Sequence, residues 1–243
     1  MKYMGSKARF AKEIYKVICE RTPRNGRAWV EPFAGGMNMI SNIPAEDGPR
    51  YANDCNFYLI ELFKALVNGW IPPRNVSKEL YYDCKNNIEK YEPYFIGYIG
   101  FNCSYSGIWF GSYAGSTKTA INTVRDYQEE AFKNVTKQIE KMKDVLFCNT
   151  TFENLNEILP KESIIYCDPP YEGTSKYKDD LNHEKFWQWV RELSADFDVY
   201  VSEYNAPDDF ECIWQKEAKS SLSANGKQGG NKKSIEKLFI KVD

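Results

Sequence analysis

Residues 164–171 read Ile164-Ile165-Tyr166-Cys167-Asp168-Pro169-Pro170-Tyr171. The first four are apolar and predict a buried strand. The two prolines cannot continue a strand or a helix, and they stiffen the chain. An acid, a rigid carbonyl and an aromatic ring are thus presented together at a strand end, where open α/β sheets bind ligands. The group suits a flat ring bearing an amine. Asp168 and the Pro169 carbonyl accept hydrogen bonds from the amine, and Tyr171 stacks on the ring. A proline-rich turn with an aromatic plug has the same sequence, so the tetrapeptide alone leaves both readings open.

Working outward, strands and helices alternate on both sides of this run. Lys7 to Glu20 has apolar residues at helical spacing, with Ser6 as the expected N-cap. Ala28-Trp29-Val30 predicts a short strand leading into a turn at Gly35-Gly36, with a helix after it. Tyr51-Ala52-Asn53 predicts a second strand ending at Asp54, which also caps an expected helix from Phe57 to Val67. Residues 77–87 and 126–142 read as polar helices. They flank an aromatic run, Tyr94 to Phe110, and a polar loop, Gly111 to Thr119. The α/β pattern resumes with strands at 145–148, 164–167 and 199–202 and an aromatic helix around Phe186, Trp187 and Trp189. Residues 212–214 and 238–242 predict a terminal hairpin around a polar loop, Ser220 to Asn231.

The glycines at 35 and 36 let backbone pass close to a ligand. No Gly-x-Gly-x-x-Gly pattern is present, which argues against a pyrophosphate cradle and a nicotinamide dehydrogenase and favours a nucleoside without phosphates. Asp54 lies 18 residues past Gly36, close to the spacing of an acid that binds ribose hydroxyls. The spacing does not separate that role from a plain helix cap. Lys7 by itself reads equally as a surface lysine at a helix start.

Taken in order, Tyr3-Met4-Gly5-Ser6-Lys7, Glu31-Pro32-Phe33-Ala34-Gly35-Gly36, Asp54 and Asp168-Pro169-Pro170-Tyr171 make the chain resemble the Dam-type site-specific DNA adenine-N6 methyltransferases. The resemblance runs from Tyr3 to about Ile240 and is weakest between residues 70 and 145. It implies an α/β, Rossmann-like S-adenosylmethionine-dependent methyltransferase fold with a mainly helical inserted target-recognition region. The catalytic domain would comprise residues 1–59 and 146–243, and the insertion residues 60–145. S-adenosylmethionine would be the cofactor, lined by Tyr3, Lys7, Glu31, Pro32, Phe33, Ala34, Gly35, Gly36, Asp54, Thr151, Phe152 and Asp168. Thr151-Phe152 stands where the family has Asp-Phe: Phe152 keeps the ring for stacking, and Thr151 offers a hydroxyl in place of a carboxylate.

The resemblance also implies methyl transfer to N6 of an adenine flipped out of double-stranded DNA, with Asp168, Pro169, Pro170 and Tyr171 as the catalytic set. Asn102, Ser104, Tyr105, Ser106, Trp109, Tyr113 and Lys118 are the candidates for DNA contact. Phe95, Ile99 and Phe101 are expected to be core. A restriction endonuclease partner would suit such an enzyme, but no residue points to one. Two other readings stay open: methylation of RNA or of a protein amide nitrogen, and a degenerate module that binds DNA without catalysis, which Thr151 favours.

Bulk properties exclude several classes. The chain has 243 residues, is 42% hydrophobic and 15% aromatic, and is expected to be globular. No stretch is long enough to span a bilayer, and the first residues lack the apolar run of a signal peptide, so a cytoplasmic protein is expected; the resemblance implies a bacterial or phage origin. The 7 cysteines form no Cys-x-x-Cys pair, so no metal site is expected. There is no Pro-Cys pair for cytosine-C5 methylation. The single histidine, His183, has no nucleophile elbow to serve. The net charge of −2 conceals an uneven distribution. Residues 1–27 carry 8 basic and 2 acidic groups, and residues 214–243 carry 7 and 3. Together the two ends would make a positive face for phosphates if they fold against each other.

Overall fold

The computed structural model describes residues 1–118, 122–172, 181–219 and 233–242. In chain order its elements are α1 (Ala11–Arg21), β1 (Trp29–Glu31), β2 (Arg50–Asn53), α2 (Phe57–Val67), α3 (Lys78–Asn86), α4 (Pro93–Asn102), β3 (Ser116–Lys118), β4 (Val124–Asp126), α5 (Tyr127–Ile139), β5 (Val145–Cys148), β6 (Ile164–Cys167), α6 (His183–Leu193), β7 (Asp198–Glu203), β8 (Phe210–Lys219) and β9 (Lys233–Lys241). Seven strands form one sheet in the order β5-β2-β1-β6-β7-β9-β8, and β3 and β4 form a separate hairpin. β5, β2, β1, β6 and β7 run parallel, whereas β9 is antiparallel to both β7 and β8. The fold is α/β and Rossmann-like.

Strand alternation sorts the core into two layers. Trp29, Ile164, Tyr166, Tyr200 and Leu238 face one hydrophobic cluster together with α1, α2, α4 and α5 residues. Val30, Ile165, Cys167, Val199, Val201 and Phe239 face a second cluster, covered by Phe186, Trp187, Trp189, Val190 and Leu193 of α6. Helices thus cover both faces, which is why the parallel strands are apolar on both sides.

Several expectations are corrected at element ends. The first helix starts at Ala11, and Ser6 does not cap it. Residues 3–6 instead form a turn, with Ser6 N donating to Tyr3 O at 3.3 Å, and Tyr3 and Lys7 make the contacts described below. No long helix follows Gly36, where only a 3-10 turn, Ile40–Asn42, forms. The cap of α2 is Asn56, whose side chain accepts from Leu59 N at 3.1 Å, leaving Asp54 for another task. Ser77, Asp126 and Asn182 cap α3, α5 and α6 in the usual way. His183 opens α6. The terminal hairpin is longer than expected, with a register shift between Cys212 and Trp214. Its expected loop at 220–231 lies outside the described residues, as does Thr119.

Residues 60–145 do not build a core of their own. Ile96, Tyr98, Ile99 and Phe101 of α4 join the cluster that also holds Ile14 and Trp29. Two glycines make this possible. A Cβ on Gly97 would stand 2.2 Å from the Tyr58 carbonyl oxygen, and one on Gly100 would stand 2.4 Å from the Trp109 ring. Phe95 is half-buried against the same cluster.

Arg50, at the start of β2, ties the β1–β2 connection to the end of the crossover that leads into β5. It is 1% exposed. Its guanidinium donates to the carbonyls of Ile40 (3.1 Å), Ile43 (2.8 Å) and Lys141 (2.8 Å), and pairs with Asp144. We predict that Arg50→Leu lowers unfolding free energy by about 3 kcal/mol, because buried carbonyls lose their donors. A shift of the urea midpoint with unchanged slope would measure it, and a native-like midpoint would contradict it.

Candidate active site

The C-terminal ends of β1, β2, β5, β6 and β7 lie along one edge of the sheet, and the strand order reverses between β1 and β6. That reversal opens a crevice in α/β sheets. On one side of it, Asn53 ties neighbouring strand ends together. Its amide donates to the carbonyls of Pro32 (2.9 Å) and Thr150 (3.0 Å) and accepts from Thr150 N (3.0 Å). Asp54 then spans the glycine turn and the start of α2. One carboxylate oxygen accepts from Gly35 N and the other from Asn56 N, both at 2.8 Å. Burial pushes the Asp54 pKa up, and the two backbone donors oppose it.

Gly35 has φ 48°, a conformation that favours glycine. A Cβ on Gly36 would lie 2.5 Å from Tyr3 Cβ, and one on Gly35 would lie 2.7 Å from Tyr3 Cε1. The glycine pair is therefore the seat of the Tyr3 side chain, which also packs on Phe101. From Tyr3 the chain runs on to Lys7, so one short strap spans both halves of the crevice.

On the other side, Lys7 is 5% exposed and its ammonium lies 2.9 Å from Asp168 Oδ1 and 3.4 Å from Glu236 Oε2. The same ammonium stands 4.5 Å from the centre of the Tyr171 ring. The Tyr171 hydroxyl donates to Glu236 Oε2 at 2.8 Å, and its ring meets Tyr204 edge-on at 4.6 Å. Burial pushes the Asp168 pKa above the usual carboxylate range, opposed by Lys7. Burial also works against the Lys7 ammonium, but Asp168 and Glu236 outweigh it and the pKa rises. Tyr166, at the end of β6, shares a 2.7 Å hydrogen bond with Ser202 of β7.

Two further buried acids flank this centre. Glu31 accepts from Trp29 Nε1 at 2.9 Å, and burial pushes its pKa up to about 8. Glu203 accepts from Tyr204 N (2.7 Å) and Glu172 N (3.2 Å), and burial pushes its pKa up to about 7. An acid with a higher pKa folded than unfolded binds more protons in the folded state between the two values. Its contribution to stability therefore falls as pH rises through that window. Here the windows run from the ordinary 4.5 to about 8 for Glu31 and to about 7 for Glu203. We predict that Glu31→Gln and Glu203→Gln each flatten the decline of stability between pH 5 and 8. Denaturant midpoints that keep the native pH slope in both variants would contradict this.

The structure brings together Tyr3, Gly35, Gly36 and Asp54 on one side and Lys7, Asp168 and Tyr171 on the other. Glu31, Pro32 and Ala34 are buried beneath them, with Phe33 half-buried, and Pro169 and Pro170 carry the chain from Asp168 to Tyr171. Thr151 is exposed at the start of a 3-10 turn, Phe152–Glu157. The expected stacking role of Phe152 is corrected. Its ring is 8% exposed and packs among Phe33, Phe186 and Trp189, so it is a core wall and not an open platform.

Among the DNA-contact candidates, Asn102 and Ser104 are each 3% exposed and are corrected to core positions. Ser104 donates to Gly100 O and shares a hydrogen bond with the Tyr81 hydroxyl, both at 2.7 Å. Trp109 stacks on Tyr58 and packs on Phe101, and the Tyr113 hydroxyl donates to Val76 O at 2.7 Å. These two are half-buried structural residues first. Tyr105 is 51% exposed, Lys118 is exposed, and Ser106 is half-exposed with φ 59°.

Glu203, Tyr204, Asn53 and Glu236 were not singled out from sequence. Glu203-Tyr204 has a readable signal, an acid and an aromatic ring at the end of a predicted strand. Glu236 has none, since its place depends on the register of a distant hairpin.

The donor set fits S-adenosylmethionine. A carboxylate has about four lone-pair sites, and backbone donors take two of those on Asp54, leaving acceptors for ribose hydroxyls at a half-exposed strand end. The glycine turn beside it carries the Tyr3 side chain. Among the described residues, no group of acids, cysteines or histidine is arranged to hold a metal ion, and no helix is long and apolar enough to cross a membrane.

A family model described as D12 class N6 adenine-specific DNA methyltransferase matches residues 3–207. No curated protein matches the chain. Among solved structures, the chain is similar to TrmN from Thermus thermophilus, at 12% identity and a TM-score of 0.42, covering 98% of this chain and 50% of that one. It thus spans half the length of TrmN. It is also similar to the rRNA methyltransferase AviRa from Streptomyces viridochromogenes, at 10% identity and a TM-score of 0.45, covering 99% and 86%. A third is magnesium protoporphyrin IX methyltransferase (ChlM) from Synechocystis PCC 6803 with bound SAM, at 7% identity and a TM-score of 0.39, covering 97% and 79%.

Proposed function

The chain belongs to the D12 class N6 adenine-specific DNA methyltransferase family, and from that premise we propose that it methylates N6 of an adenine flipped out of double-stranded DNA. The observation that carries this reading is the Asp168 carboxylate at the end of β6, 2.9 Å from a buried ammonium and one rigid turn before the Tyr171 ring.

Bound S-adenosylmethionine supplies a sulfonium methyl group with an electron-poor carbon. The chain's residues make the adenine amine reactive and aim it. The amine lone pair is delocalised into the purine ring. Asp168 and the Pro169 carbonyl accept its N–H groups, localise that pair and orient it. With the cofactor in place, N6 would gain positive charge as it took up the methyl group and the neutral thioether left, and the Asp168 carboxylate would stabilise that charge until the surplus N6 proton passed to solvent water. Before the base arrives, Lys7 favours the ionised form of Asp168, which burial alone would disfavour; the amine N–H then takes over that contact. An amine inside a duplex is out of reach, so the base must leave the stack, and Tyr171 stacks on it.

Residues 60–145 serve target recognition in this reading, with the exposed Tyr105 and Lys118 and the neighbouring Ser106 as the contact set. The charge distribution supports a phosphate face. The two basic ends meet where Trp214 Nε1 donates to Glu13 at 3.0 Å and packs on Phe10, and Arg9, Lys12 and Lys16 are exposed nearby on the N-terminal segment. A restriction endonuclease partner is left as an accompaniment to test in the host. The exposed Thr151 favours a second reading, a DNA-binding module that lacks the cofactor. Calorimetric titration with S-adenosylmethionine separates the two: heat of binding supports the enzyme, and no uptake supports the module.

A further inference from the structure

We propose that Glu236 is a positioning residue of this active site, whose carboxylate receives the Lys7 ammonium when the target amine takes its place on Asp168. The proposal rests on the adenine-methylating reading above. Glu236 lies on β9, outside residues 3–207 matched by the family model. The strand register fixes it: Lys237 pairs with Glu203 of β7, and Glu236 pairs with Lys216 of β8. Its side chain is 13% exposed and touches two members of the catalytic cluster, the Tyr171 hydroxyl at 2.8 Å and the Lys7 ammonium at 3.4 Å.

The present arrangement conflicts with base capture. The Lys7 ammonium donates to Asp168 and stands 4.5 Å above the centre of the Tyr171 ring. Those are the contacts that the adenine amine and the adenine ring require. Lys7 must therefore yield them, yet a buried ammonium cannot be left without a counter-charge. Glu236 already lies within reach of it and supplies that charge inside the pocket. A neutral residue at 236 would hold the Tyr171 hydroxyl equally well but would keep Lys7 on Asp168. The charge of Glu236, more than its hydrogen bond, is what the site needs.

The test is a cycle of Glu236→Gln, Lys7→Met and the double variant, assayed for methyl transfer to duplex DNA and for S-adenosylmethionine binding by calorimetry. Glu236→Gln is expected to lower kcat/KM for DNA about tenfold, the size of coupling between contacting charges, and to leave cofactor affinity unchanged. Glu236→Asp should recover part of the loss. In the Lys7→Met background, Glu236→Gln should cause no further loss, because no ammonium remains to be received. Native-like kcat/KM in Glu236→Gln, losses that multiply in the double variant, or an equal loss of cofactor binding would each overturn the proposal. Should the native protein methylate no DNA, the functional reading fails on its own. The pairing is then decided by Tm values of the same cycle: shifts that fail to add support the Lys7–Glu236 coupling, and additive shifts overturn it.

Discussion

Asp168→Ala is expected to lower kcat by about 10²–10³-fold, the usual loss when a preorganised group facing developing charge is removed. The fold should survive. Asp168 is half-buried at the mouth of the sheet, and its Lys7 partner retains Glu236 at 3.4 Å. The strand behind it is held by neighbours on both sides that the substitution does not touch. Single-turnover methylation with saturating DNA isolates the chemical step. Turnover within a few-fold of native, in a variant with native circular dichroism, would contradict the role assigned to this carboxylate.

Tyr171→Ala is expected to act on base capture. Stacking on an aromatic side chain contributes about 1–3 kcal/mol per base, so KM for DNA should rise by roughly 5–150-fold. Tyr171→Phe keeps the ring and loses the hydroxyl with its bond to Glu236, and should recover most of the activity. A duplex with 2-aminopurine at the target position reports extrusion by fluorescence, and the alanine variant should show a reduced enhancement. Unchanged KM and unchanged fluorescence would rule out a stacking role.

How much of this was legible in the sequence differs from element to element. The run Ile164 to Tyr171 was readable because an apolar strand and two prolines impose the same local answer in any surroundings. Ser77 and Asp126 were readable as helix starts for the same reason. Asp54 was half legible: its position at a strand end was clear, but its bonds to Gly35 N and Asn56 N depend on how the turn at 32–36 folds back. The aromatic run Tyr94 to Phe110 was misread at Asn102 and Ser104. Gly97 and Gly100 let α4 approach Tyr58 and Trp109 closely enough to bury the far end of the helix. Composition alone does not show such an approach. Glu236 was invisible because a lysine-rich terminal strand gives no sign that one of its acids faces Lys7 across more than two hundred residues of chain.

The most direct test of the central claim is to incubate the protein with duplex DNA and S-adenosylmethionine carrying a labelled methyl group, digest the DNA to nucleosides, and identify the labelled product by mass spectrometry. The account predicts label in N6-methyldeoxyadenosine, accumulating about 10²–10³-fold more slowly after Asp168→Ala. Label in a modified cytosine, label only when RNA or protein is supplied, or no label with a protein that binds the cofactor would contradict it.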